Sequence, residues 1–156
     1  AADLRDANGQ GVGRAVLTST DTGVRITLDM QGLPPGAKAV HIHEVGKCDG
    51  PGFASAGGHF NPEKRQHGTD NPQGPHAGDL PNVTVGANGA GHLDTTTARI
   101  SLAPNLPTSL FDADGSALVV HAGPDDMKTD PAGNSGARIA CGVIMAVPAG
   151  ATRPSY

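Results

Sequence analysis

The sequence predicts an all-β fold, an antiparallel sandwich or flattened barrel of about eight strands with two long loops that carry the chemistry. Three observations predict it. Glycine (23 residues) and proline (13) are too frequent in a chain of 156 for a helical protein, and they suit short strands joined by turns. Asn8-Gly9, Asn88-Gly89 and Asp114-Gly115 mark tight turns, Asn-Gly favouring the φ > 0 corner of a hairpin. Along 24–31, Val24, Ile26, Leu28 and Met30 alternate with Arg25, Thr27, Asp29 and Gln31. A period of two marks a strand with one face buried and one in water.

Taken in order, residues 2–6 read as a first strand, returned by Asn8-Gly9 into a second over 12–18. Asp21-Thr22-Gly23 turns into the alternating third strand, which Leu33-Pro34-Pro35-Gly36 ends. Residues 37–43 (AKAVHIH) form an expected fourth strand, with Val40 and Ile42 on one face and His41 and His43 on the other. Two imidazoles on one face, two residues apart, can converge on one ion. Residues 44–81 read as loop, 83–85 as a short strand, and 92–100 as a strand whose clearest apolar position is Leu93. The connection over 103–109 holds two prolines and leads to ALVVH at 117–121, a buried apolar strand ending in His121. A second irregular stretch covers 122–137, a last strand 139–147, and a tail follows from Pro148. No repeat or boundary divides the chain, so residues 1–156 read as one domain.

Composition narrows the function. Aromatics are only 3% and tryptophan is absent, so the core must be built from Val, Ile, Leu and Ala. A net charge of −4 does not suggest a nucleic-acid binder, and no Lys/Arg run contradicts that. No apolar run reaches the length of a membrane span. A start at Ala1 rather than Met reads as a processed or trimmed chain, and signal-peptide removal is the natural explanation for an exported protein. Cys48 and Cys141 are either two buried thiols or one disulfide, which needs an oxidising compartment and would be worth about 4–5 kcal/mol in the chain-entropy model.

Five of the seven histidines fall between His41 and Asp79, in a segment rich in Gly, Pro and Asn that needs something to order it. His41, His43, His59, His67, His76, Asp79 and His121 lie at strand ends or in loops, where a rigid scaffold presents chemistry. Nitrogen and carboxylate donors without thiolate suit copper(II) or zinc. Three histidines and an aspartate satisfy a closed tetrahedral zinc site, and the remainder hold a second metal if one ligand is shared. His92 reads as an ordinary strand histidine, and neither cysteine sits in a ligand pair. Asp125-Asp126 is either a solvated acidic pair or a source of a carboxylate that orients ligand imidazoles through their other N–H. Asn82-Val83-Thr84 matches a glycosylation acceptor but falls in a strand.

HIHE at 41–44, GGHFNP at 57–62, HG at 67–68, HAGDLPN at 76–82, LVVH at 118–121 and GNSGARIACGVI at 133–144 together resemble copper/zinc superoxide dismutase, in order, from about residue 11 to 147. The resemblance implies an eight-stranded Greek-key barrel. It implies a copper ion on His41, His43, His59 and His121, and a zinc ion on His59, His67, His76 and Asp79, with His59 as the bridge. It further implies that Asp125 links His41 to His67, that Cys48 pairs with Cys141, and that Arg138 attracts the superoxide anion. Catalysis would fall to the copper with Arg138 and His59, the latter releasing copper on reduction and carrying a proton. Lys128 is a weaker candidate for attracting the anion.

Cys48 sits closer to the histidine pair than in the animal enzymes, the loop from Asp125 to Arg138 is shorter, and Ala39 stands where the family often has glycine. These departures resemble the bacterial exported type, periplasmic or extracellular. The partner implied is a small anion, with no nucleic acid and no membrane; monomer and homodimer stay open. The reading from another class is a non-catalytic module on the same fold, which buffers or delivers copper or serves as a zinc-only structural relative.

Overall fold

The computed structural model describes residues 1–146. Nine strands form: β1 (Ala2–Asp6), β2 (Gly11–Thr20), β3 (Gly23–Met30), β4 (Gly36–Lys38), β5 (Val40–His43), β6 (Val83–Val85), β7 (Gly91–Thr97), β8 (Ala117–His121) and β9 (Arg138–Val143). They make one antiparallel sheet in the order β4-β6-β7-β3-β2-β1-β9-β8-β5. Its two ends, β4 and β5, are neighbours in sequence, so the sheet curls into a nearly closed barrel.

That closure explains why nine strands appear where eight are expected. The segment predicted as one strand over 37–43 changes partner at Ala39. Lys38 pairs with Val83 of β6, whereas Val40 pairs with Val120 of β8. Ala39 itself bonds across to the β8 side, its N–H donating to Gly123 O (2.8 Å) and its carbonyl accepting from His121 N (2.9 Å). Other bounds shift less. The strand expected over 92–100 ends at Thr97, although Ile100 still enters the core. The last strand ends at Val143, and Val147 and the tail lie outside the described residues.

The period-two reading of β3 holds: Val24, Ile26, Leu28 and Met30 are buried while Arg25 and Asp29 face solvent. In β2 the period breaks. Leu4 pairs with Gly13 but Arg5 with Gly11, so the strand bulges at Val12, and Val12 and Ala15, three apart, both point inward. The barrel core is aliphatic, with Leu4, Ile26, Leu28, Ile42 and Leu118 among its fully buried side chains.

Strand β8 is buried on both faces, which accounts for its unbroken apolar run. Leu118 and Val120 face the barrel core. Ala117 and Val119 face outward into a smaller cluster with Phe53, Ala56 and Cys141. The loop after β5 covers that face. It carries the one helical turn among the described residues, a 3₁₀ turn at Ala54–Ala56, and is fixed to β9 by the Cys48–Cys141 disulfide. No helix among the described residues is long and apolar enough to cross a membrane.

Candidate metal centre

The loop over 44–82 is ordered by pairing along the edge of β5 that faces away from β8. His43 bridges to His59, and His41 to Asp79. Between them Phe60 N donates to Ile42 O (2.7 Å), Gly78 N to Phe60 O (2.9 Å), and Ile42 N to Gly78 O (2.8 Å). A side chain at position 78 would put its Cβ 2.3 Å from the Ile42 carbonyl oxygen, so only glycine permits this approach. Val40 and Ile42 face the core as expected; His41 and His43 face the returning loop.

Hydrogen bonds fix the tautomers. Carbonyls and carboxylates only accept, so a ring nitrogen bonded to one must carry the proton. His43 Nδ1 donates to Gly57 O (2.8 Å), His121 Nδ1 to Gly136 O (3.1 Å), and His41 Nε2 to Asp125 Oδ2 (2.7 Å). Each ring is left with one bare nitrogen. Those atoms, His43 Nε2, His121 Nε2 and His41 Nδ1, are buried without a partner, as is His59 Nε2. In this set of four rings, a nitrogen from each lies within 4.8 Å of one from every other.

A second set adjoins it through His59. His59 Nδ1 and His67 Nδ1 each lie 3.0 Å from Asp79 Oδ1. His76 Nδ1 lies 3.1 Å from His59 Nδ1 and 3.5 Å from Asp79 Oδ1. His41 also approaches this set, but its nitrogens are already committed to Asp125 and to the first set. His76 borders the same set through its contacts with His59 and Asp79. All seven predicted metal-binding residues come together, and His92 stays apart on the surface, paired with Asp29 (2.6 Å).

Asp125 joins the two sets. Its Oδ2 takes the proton side of His41, and its Oδ1 takes that of His67 (2.8 Å). This directs the Nδ1 of one ring into each set. Gly133 permits the arrangement: a Cβ there would lie 1.9 Å from Asp125 Oδ1. Asn82 holds Asp125 from behind, donating Nδ2–H to its carbonyl (3.1 Å) and accepting its N–H (2.9 Å). The side chain of the sequon asparagine is thus committed to two hydrogen bonds with the Asp125 backbone.

Charge follows geometry. Burial lowers His41 and His121 to about 4 and His43 to about 2, from an ordinary 6.5, so all three are neutral near pH 7. His59 is lowered too, chiefly by burial. His67 goes the other way. Burial opposes its charge, but the bonds from Asp125 and Asp79 prevail and raise it to about 9. Burial would likewise raise Asp79 and Asp125; their histidine partners outweigh it and hold both well below the usual carboxylate range.

Arg138, at the start of β9, donates Nη1–H to Phe53 O (2.9 Å) and Nη2–H to Gly57 O (2.7 Å). It lines a surface depression with Pro51, Gly52, Ala54, Gly57, Gly136 and Ala137. Its charge helps keep His43 and His121 unprotonated, which places it beside the first set. Lys128 is exposed and does not line that depression.

Residues 12–144 match the family described as copper/zinc superoxide dismutase (SODC). The chain belongs to that family. A superoxide dismutase [Cu-Zn] of Aquifex aeolicus is 51% identical over 144 residues, covering 92% of this chain and 85% of the relative. One from Caulobacter vibrioides is 44% identical, covering 90% and 82%. The crystal structure of a SOD-like protein from Bacillus subtilis superposes with a TM-score of 0.89 at 42% identity, over 92% of this chain and 97% of that one. Copper and zinc are the metals of this dismutase family, and the two histidine sets are built to take metal. Three residues around the candidate metal centre have no metal-site signal in the sequence: Asn82, Gly133 and Arg99, whose Nη2 donates to Asp79 O (2.7 Å). Asn82 carries a signal of its own, but a misleading one, the glycosylation sequon. The other two act through contacts distant in sequence.

Proposed function

We propose that this chain converts superoxide to dioxygen and hydrogen peroxide at a copper–zinc pair. The observation that carries the proposal is the convergence of four buried, unpartnered ring nitrogens beside a second set that shares His59. The donors fit the metals. The first set offers four neutral imidazoles, a donor set for copper; the second offers three nitrogens and a carboxylate, a closed set for zinc. Both cysteines are consumed in the disulfide, so no thiolate competes among the described residues.

In this reading His41, His43, His59 and His121 hold copper, and His59, His67, His76 and Asp79 hold zinc. The bound pair supplies one-electron redox chemistry, by which one superoxide is oxidised to dioxygen and a second is reduced, with two protons, to hydrogen peroxide. The chain's residues supply the rest. A net charge of −4 opposes an anionic substrate, so attraction must be local. Arg138 meets that need, since a guanidinium has five N–H donors and two main-chain carbonyls occupy only two. His59 is the ring with one nitrogen toward each set, and its Nε2 is the atom at which a proton can be held beside the incoming anion. The disulfide supports an oxidising compartment, and we place the protein in the periplasm or outside the cell.

A module that only binds or delivers metal would be expected to lack a nitrogen of the first set, and none is lacking. The deciding experiment measures metal content and superoxide dismutation on protein reconstituted with copper and zinc, then stripped of copper. One copper and one zinc per chain, with activity that disappears with copper, is the expected result. Stoichiometric zinc without copper or activity would establish the non-catalytic reading.

A further inference from the structure

Asp79 is restrained at its main-chain and carboxylate atoms, and one restraint comes from outside its own loop. Its N–H donates to His76 O (3.1 Å). Its Oδ2 accepts from Gly68 N (3.0 Å) and His76 N (2.9 Å), which leaves Oδ1 for the second set. Those partners all belong to the loop over 44–82. The Asp79 carbonyl instead accepts from Arg99 Nη2 at 2.7 Å. Arg99 lies just beyond β7, between buried Thr97 and Ile100, and its N–H is capped by Thr97 Oγ1 (3.2 Å).

The contact is unusual in its chemistry. Arg99 is half-buried, its Nε is buried without a partner, and among the described residues no carboxylate forms an ion pair with it. Desolvating a guanidinium costs free energy, and a lone main-chain carbonyl is a modest return for it. Through-space repulsion from a cation would also weaken zinc binding rather than favour it. What the contact does provide is a rigid tie from the β7 end of the barrel to the backbone of one ligand. We propose that Arg99 is a positioning residue for zinc: by anchoring the Asp79 carbonyl it holds the carboxylate in register with His59, His67 and His76, and so sets how firmly zinc is retained. This rests on the assignment of the second set to zinc.

The test uses protein loaded with copper and zinc, challenged with EDTA, with release of each metal followed separately. Partners that orient metal ligands are worth about 10–100-fold in affinity. Arg99→Met keeps the aliphatic stem and removes the donors, so zinc should leave about 10–100-fold faster while copper release stays unchanged. Arg99→Lys, which restores a donor on a similar stem and guards against a misfolded Met variant, should recover most of the loss. Three results overturn the inference: equal zinc release from Arg99→Met and the unsubstituted protein, slower release from Arg99→Met, or parallel loss of both metals, which would mean general loosening. Failure of the unsubstituted protein to take up zinc would remove the zinc assignment itself, and the inference with it.

Discussion

At the scale of single residues, one carboxylate orients two rings. Asp125 accepts from His41 Nε2 and His67 Nε2, so each ring turns its Nδ1 to a different set. Asp125→Ala would leave two buried N–H groups unpaired and free both rings to turn. Both metals should then be held about 10–100-fold less tightly, measured by competition with a chelator. That result separates Asp125 from Arg99, whose loss should affect zinc alone. In the proposed mechanism Arg138 acts on the substrate and not on the metals. Arg138→Ala should lower the dismutation rate by about tenfold or more, with a weaker dependence on ionic strength and unchanged metal content. An unchanged rate and salt dependence would remove Arg138 from anion capture.

Among the elements, the segment over 48–57 links stability to the site. The disulfide fixes it to β9, Phe53 and Ala56 pack it against β8, and Phe53 and Gly57 present the carbonyls that hold Arg138. Gly57 O also receives His43 Nδ1–H, so this one carbonyl orients both the arginine and a ring of the first set. Cys48→Ser with Cys141→Ser should cost about 2–5 kcal/mol of stability. Urea unfolding of the metal-free protein measures it. Metal-loaded double variant should also turn over superoxide more slowly, because the acceptors of Arg138 lose their anchor; full activity at full metal content would refute that link. The sequence showed the cysteines and the arginine, but no periodicity connects residue 53 to residue 138. Likewise, the loop over 44–82 reads as unstructured because its hydrogen bonds are made to the edge of β5, with no repeating side-chain pattern.

For the whole molecule, the buried rings make stability depend on pH. His41, His43 and His121 are depressed to about 4, 2 and 4 in the folded metal-free protein, against 6.5 when unfolded. The unfolded chain therefore binds more protons below pH 6.5, so the stability present above 6.5 is lost as pH falls through 4. His67 has the opposite sign. Raised to about 9, it contributes stability below 6.5 that disappears as pH rises through 9. With His59, which burial also lowers, four rings act on the acid side and one on the alkaline side. Metal-free protein should thus be most stable near pH 6.5, with the steeper decline toward acid, as thermal unfolding from pH 4 to 9 would show. A flat profile over pH 4–6.5 would contradict the burial of these rings as neutral species.

The sequence by itself determined the fold class, the faces of β3 and β5, and the donor types of the candidate metal sets, because alternation and donor chemistry are local properties. It also carried the family motifs. Tertiary structure decided what depends on contacts between distant segments. Ala39 divides one predicted strand because two different partners lie on either side of it. The orientations of the His41 and His67 rings are set by an aspartate more than fifty residues away from each. Arg99 reaches the Asp79 carbonyl because β7 runs antiparallel to β6, which leaves the two residues at the same end of that pair. A hydrogen bond to a main-chain carbonyl leaves no mark on the identity of the accepting residue, so only the folded chain reveals it.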